Sequence, residues 1–195
     1  MARSFAYSPV RTVAPTSAPV SLTEAKTHLR VDHGDEDTLI QAFIDAATAH
    51  LDGWSGVLGR ALVTQTWSQV FDRFEPRLRL PMPAATVTGV TCVDPDGLTL
   101  TLDDEDYVLR TDALGSFVET VHGVNWPATR DQTGTVSVTF TCGEPGSSVP
   151  APITAAILLM VGDLYASREG VVTGTIVAEN PTVAALIAPY RRVGV

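Results

Sequence analysis

The sequence predicts an α+β fold, a small helical bundle formed by N- and C-terminal helices with an inserted antiparallel β sandwich or barrel-like module. Three observations carry that expectation. Apolar residues recur at helical spacing at both ends of the chain. They alternate with a period of two in the middle, and Gly- and Pro-rich breaks separate the two regimes.

Residues 1–20 hold three prolines, many small residues and no periodicity, which reads as an extended or disordered arm. Helical signals begin at SLTEAKTHLRV (21–31), where Ser21 and Glu24 have capping-box spacing. A longer helix is expected from about 36 to 52. Ile40, Phe43, Ile44, Ala47, Leu51 and Trp54 lie along one face of it, and Gly53, Gly56 and Gly59 end it.

From about residue 62 the period changes to two. Val63, Trp67 and Phe71 share a face, LTLTL (98–102) alternates strictly, and TVSVTFTC (135–142) sends Val136, Val138, Phe140 and Cys142 inward. DPDG (94–97) fits a strand reversal, because Pro presets φ and Gly accepts positive φ. Gly89 interrupts the alternation between Val87 and Val90 and predicts a bulge. After CGEPGSSVPAP the helical period returns over 152–168, with Ile153, Ile157, Met160, Val161 and Leu164 on one side and Leu158, Leu159 and Tyr165 widening the stripe. A Gly/Thr-rich link (170–175) leads to a short terminal segment. The domains expected are an arm (1–20), a ring-forming helical domain (21–61 with 149–178), a β domain (62–148) and a C-terminal segment (179–195).

The charge balance is 13 basic residues against 22 acidic, a net −9, which argues against a general nucleic-acid binder. The acid excess is local, since residues 94–119 hold eight acids against Arg110 alone. Asp103, Asp104, Glu105 and Asp106 form its densest part, either a channel lining or a solvated surface patch. Two cysteines, Cys92 and Cys142, fall in apolar strand patterns and read as buried free thiols. The N-terminus has no apolar signal region, and the longest apolar run, ITAAILLMVG (153–162), is too short to span a membrane. A soluble, cytoplasmically made chain is the expectation.

No motif brings catalytic chemistry. There is no phosphate-binding loop, no dinucleotide fingerprint and no H-E-x-x-H. GWSG (53–56) lacks the second glycine of a nucleophile elbow and follows a helix rather than a strand. His28, His33, His50 and His122 are scattered, and the acidic turns lack a full calcium-loop pattern. The sequence predicts no catalytic residue, no metal and no cofactor.

The order of the pieces resembles the head–tail connector (adaptor) proteins of long-tailed phages and gene transfer agents. The matching stretches are SLTEAKTHLRV…DEDTLIQAFIDAATAHLDGWSGVLGRALVTQTW, LRLPMPAATVTGVTCVDPDG, DYVL, NWP, GTVSVTFTCG, VPAPITAAILLMVGDLYASRE and VAALIAPYRR, together covering about 21–192. The chain departs from the family at CGEP, where relatives tend to carry an aromatic after the glycine.

The resemblance implies a ring of twelve copies below the portal of a DNA-filled capsid. Such a ring extends the channel toward the next tail-ward ring and lets DNA through without specific binding. It implies a location at the head–tail joint of a virion or gene-transfer particle, with the helical part as ring body and the C-terminal segment on the portal. Val183, Leu186, Ile187 and Tyr190 form one stripe on a terminal helix too short to be stable alone, with Arg191 and Arg192 beside it. Four such side chains give roughly 6–12 kcal/mol gross on full burial. Against portal docking stands packing of that stripe on its own subunit. Ile153, Ile157, Leu158, Val161 and Tyr165 are the residues expected to pack the ring or the subunit.

Other readings are a stopper or tail-completion ring protein, a small-ligand or enzymatic β-sandwich module, and an assembly factor absent from the finished particle. Twelve arginines against one lysine hint at a GC-rich host.

Overall fold

The computed structural model describes residues 7–145, 148–167 and 180–192. The link expected at 170–175 lies outside the described residues, as do the first six residues of the arm. The chain divides into two compact units. One takes in 7–16 and 64–143, the other 17–63 and the described residues of 144–192.

The second of these units is helical. Its first helix, α1 (Leu22–Leu29), starts on the capping box expected from the sequence. Ser21 Oγ accepts from Glu24 N at 3.2 Å, and Glu24 Oε2 accepts from Ser21 N at 2.8 Å, so two orphan donors of the first turn are satisfied. Arg30, in the left-handed region at φ 59°, ends it. Helix α2 (Asp37–Leu51) buries Ile40, Ile44, Ala47 and Leu51, four of the six predicted stripe positions. Phe43 is half-buried against the core and Trp54 is exposed past the helix end. Helix α3 (Ala151–Ala166) buries Ile153, Ala156, Ile157 and Val161, and α4 (Pro181–Ile187) adds Ile187, followed by a 3-10 turn (Ala188–Tyr190). These side chains form one core with Val20, Ala25, Leu58, Leu62 and Val63. Each large aliphatic among them contributes about 1.5–3 kcal/mol by leaving water.

The other unit is wholly antiparallel. Its strands are β1 (Val10–Val13), β2 (Gln65–Phe71), β3 (Leu78–Arg79), β4 (Thr86–Val93), β5 (Thr99–Thr101), β6 (Tyr107–Asp112), β7 (Gly115–Thr120) and β8 (Val136–Cys142). They make a five-stranded sheet ordered β1-β2-β8-β4-β5 and a three-stranded sheet ordered β3-β7-β6. Strand β8 sits centrally and alternates buried and half-buried residues without a break, with Val136, Val138, Phe140 and Cys142 inward. The Gly89 bulge is present as a register shift between Val87 and Gly89. The DPDG reversal closes through Gly97 N to Asp94 O at 3.0 Å, with Gly97 at φ 90°.

Within the segment read as an arm, Val10–Val13 pair with β2. Gln69 Nε2 donates to Tyr7 O at 3.1 Å, and Tyr7 OH donates to Asp72 Oδ1 at 2.6 Å. The inward face of β2 holds Trp67 flanked by two glutamines, Gln65 and Gln69, both buried. Gln65 Oε1 accepts from Trp67 Nε1 at 3.1 Å, so this buried amide oxygen is satisfied.

Candidate functional site

The C-terminal stripe begins at Asn180, whose side chain accepts from Thr182 N at 3.1 Å and donates to Asp163 Oδ2 at 3.0 Å. Pro181 follows at the first helical position, where a missing N–H costs nothing. Ile187 is buried, and Val183, Leu186 and Tyr190 are half-buried against the same helical core. Arg192 N donates to Leu58 O at 3.0 Å, and burial lowers the guanidinium's proton affinity. Arg191 is exposed. The apolar stripe therefore lies on its own unit, and the outward face of α4 consists of Pro181, Thr182, Ala184 and Ala185.

Of the residues expected to pack the ring or the subunit, Ile153, Ile157 and Val161 are at most 1% exposed. They are core residues, and a neighbouring subunit cannot reach them without unfolding the helix. Leu158 and Tyr165 are half-buried on that core, with the Tyr165 hydroxyl on the Glu36 carboxylate. Among the described residues of this unit, Leu164, Leu39 and Trp54 are the large apolar side chains that reach solvent at 36% exposure or more.

Asp103, Asp104 and Glu105 are exposed and Asp106 is half-buried, in a turn closed by Asp106 N to Asp103 O at 3.0 Å. Asp104 accepts from Tyr107 OH at 2.6 Å. Burial first, and then this bond, push the Tyr107 phenol up to about 12. The other acids of 94–119 behave differently. Asp112 takes a bidentate pair from Arg79, and Glu119 takes Arg110 at 2.6 Å with Arg77 nearby at 3.6 Å. The hydrogen bonds from Arg79 are the main cause holding the Asp112 carboxyl down at about 2. Both Arg77 and Arg79 also lie over the Phe117 ring, at 4.8 and 4.7 Å from its centre. Strand pairing brings Arg77 and Arg79 from outside the acidic window, so the uncompensated acids shrink to the two turns at 94–97 and 103–106.

A groove of about 1130 Å³ lies on the β unit. Arg73, Arg77, Arg79 and Arg130 line it against Asp72, Glu75 and Asp131, with no Cys, His, Ser or Lys among its walls. Phe74 and Trp126 stack nearby at 4.6 Å, and Trp126 Nε1 donates to Glu75 O at 2.9 Å. The wall is thus of mixed charge, four guanidinium groups against three carboxylates. Among the described residues there is no group of three or more metal-ligating side chains. No described helix is long and apolar enough to cross a membrane.

Residues 19–73, spanning α1, α2 and all of β2, match the family model for phage gp6-like head-tail connector proteins. The chain resembles head–tail connectors. Three solved structures agree along almost the whole length. A chain from the neck of an empty GTA particle computed with C6 symmetry is 24% identical, with 97% of each chain covered and a TM-score of 0.76. A chain from the virion of a native gene transfer agent particle is 25% identical, with 96% of each covered and a TM-score of 0.75. A chain from the neck of a native GTA particle computed with C12 symmetry is 22% identical, covering 94% of this chain and 97% of that one, with a TM-score of 0.66. No curated protein matches the chain.

What sequence reasoning missed are the two open edges of the five-stranded sheet. Strand β1 is exposed along its full length, with Val10 at 62% and Val13 at 54%. Strand β5 is likewise exposed, flanked by Leu98 at 68% and with Leu100 at 42% at its centre. The signal in LTLTL was its freedom from charge, since sheet edges meant to stay single usually carry Lys, Pro or a bulge.

Proposed function

We propose that this protein is a structural head–tail adaptor that forms a dodecameric ring below the portal, extends the DNA channel and joins the capsid to the tail. The observation that carries the reading is the coextensive fold match to a GTA neck chain, 97% of both chains, joined to the connector family match over 19–73. The C6 and C12 symmetries of the neck structures favour a ring. The proposed location is the head–tail joint of a phage or gene-transfer particle. The partners are other copies of the chain, the portal protein and the next tail-ward ring.

The surface chemistry agrees with a channel wall. A net charge of −9 disfavours retention of DNA by counterion release, and the acidic turns at 94–97 and 103–106 repel phosphates within about 8 Å at physiological salt. In the portal-docking role proposed for 179–195, Val183, Leu186, Ile187 and Tyr190 hold α4 in place. Arg191 and the outward face of α4 then meet the portal, with Arg192 behind them. A single contact of this size is weak, and repetition around a ring multiplies it by effective concentration.

Light scattering of the purified chain, with and without its portal protein, tests the reading. A ring-sized complex is expected. A subunit-sized particle indifferent to portal overturns it.

A further inference from the structure

We propose that neighbouring copies join edge to edge through the five-stranded sheet, β5 of one copy pairing with β1 of the next. This rests on the ring reading above. The first observation is chemical. Asp94 N donates to Leu98 O and Leu102 N donates to Val90 O, both at 2.9 Å, in a register that pairs Leu100 with Cys92. Antiparallel ladders alternate, so Leu98, Leu100 and Leu102 turn their main-chain groups toward β4. Thr99 and Thr101 then point theirs outward, and no described residue pairs with them. An open edge with exposed leucines and no charge in LTLTL is a template for another strand.

The second observation is topological. Four successive antiparallel pairings separate β1 from β5, so the two open edges run in the same direction. In a ring of many copies each subunit is rotated only slightly from the last. Strands meeting across a joint therefore run nearly parallel, and β5 against β1 satisfies this, whereas β5 against β5 would need a two-fold axis. The edges are of similar extent, three residues against four, although the pairing of β1 with β2 shifts register between Arg11 and Val13. Their charges also agree. Strand β1 carries exposed Arg11 and no acid, whereas Asp94, Asp96, Asp103 and Asp104 flank β5. The occupant of each edge is thus a second copy of this chain.

Two substitutions address the edge without touching the β4–β5 ladder. Thr99→Pro removes an outward N–H, and Leu100→Lys places a charge on the exposed edge. The full chain is compared with both variants by native mass spectrometry and light scattering, alone and with portal protein, with circular dichroism to establish folding. The expected result is a ring-sized wild type and variants that stay subunit-sized, or need roughly tenfold more protein, the weight of about one net hydrogen bond per joint. Rings from wild type and folded Leu100→Lys at the same concentration overturn the edge pairing and leave the ring reading standing. A wild type that never exceeds subunit mass, with or without portal, removes the ring reading and the pairing with it.

Discussion

Helix α4 offers the sharpest test of how the chain is held together, through Ile187→Ala. The helix has seven residues, far below the roughly 12–15 at which an isolated helix becomes marginal in water. Its stability comes from docking, and Ile187, at 8% exposed, is its one buried side chain. Truncating a buried Ile to Ala costs about 2–5 kcal/mol, part transfer and part cavity. A seven-residue helix docked through one buried side chain does not have to tolerate the cavity, because it can lift off. The loss therefore appears as local undocking, which limits the cost to whatever docking free energy α4 has.

Taking about 2–4 kcal/mol, the undocked population rises roughly thirtyfold to several-hundredfold. Hydrogen exchange reads this at the amides of Ala188 and Arg192, which donate to Ala184 O and Leu58 O in the docked state. Both amides are expected to exchange faster by that factor, while amides in the middle of α2 change little. Thr182→Ala, on the exposed face, is the control and should leave both rates alone. Equal acceleration in α2 and α4 would refute the reasoning, because α4 would then be part of one cooperative unit. Unchanged protection at Arg192 would refute it from the other side, since the stripe would not be what holds the helix.

Gly56→Ala should destabilise the helical unit by about 1–3 kcal/mol in denaturant melts, because its Cβ would stand 2.3 Å from the Asp52 carbonyl oxygen, a backbone atom that cannot swing away. The Asp112 carboxyl, held down at about 2 from 3.8, contributes stability that is present above about pH 4 and is lost as the pH falls toward 2. Asp112→Asn should lower the melting temperature at neutral pH and flatten its dependence between those values. An equally steep slope in the variant would place the acid sensitivity elsewhere. Tyr107, raised from 10.0 to about 12, contributes stability that is present below pH 10 and lost as the pH rises to 12, so Tyr107→Phe should resist alkaline melting better over that window. Both thiols are buried and unbridged, and burial pushes the Cys92 thiol up. A thiol reagent should find no reactive group in the native protein and two after denaturation.

Much of the fold was legible because its determinants are local. The Ser21–Glu24 cap, the α2 stripe, the β8 alternation, the Gly89 bulge and the DPDG turn each depend on residues a few positions apart, and all are present. What stayed hidden depends on distant partners. Strand β1 exists because β2, more than fifty residues away, offers its edge, and its own sequence of VRTV buries nothing. Gln65 and Gln69 sit at inward parity on β2, where composition alone would not place an amide: Trp67 Nε1 donates to Gln65 Oε1 and Tyr7 O accepts from Gln69 Nε2, while Gln69 Oε1 is buried with no partner among the described residues. The acids at 112 and 119 counted as part of a negative cluster until β3 and β6 brought Arg77, Arg79 and Arg110 onto them. A linear charge window cannot see a cross-strand ion pair.

The same distinction bears on where assembly sites are found. A site built for chemistry needs several polar groups converging on one point, and such convergence depends on distant contacts and shows clearly in a structure. A site built for repetition needs much less, a few unpaired main-chain groups and two or three exposed apolar side chains. The LTLTL edge meets that need with five residues, and its leucines look like ordinary core residues until the structure shows them uncovered. Each such contact is weak in one copy, which keeps the lone chain from committing to wrong partners. Under the proposed edge pairing, closure of a ring would turn every copy's two weak edges into simultaneous contacts, so affinity would come from geometry rather than from any one residue. On that reasoning, single substitutions at the edge should act steeply on assembly and hardly at all on the folding of the subunit.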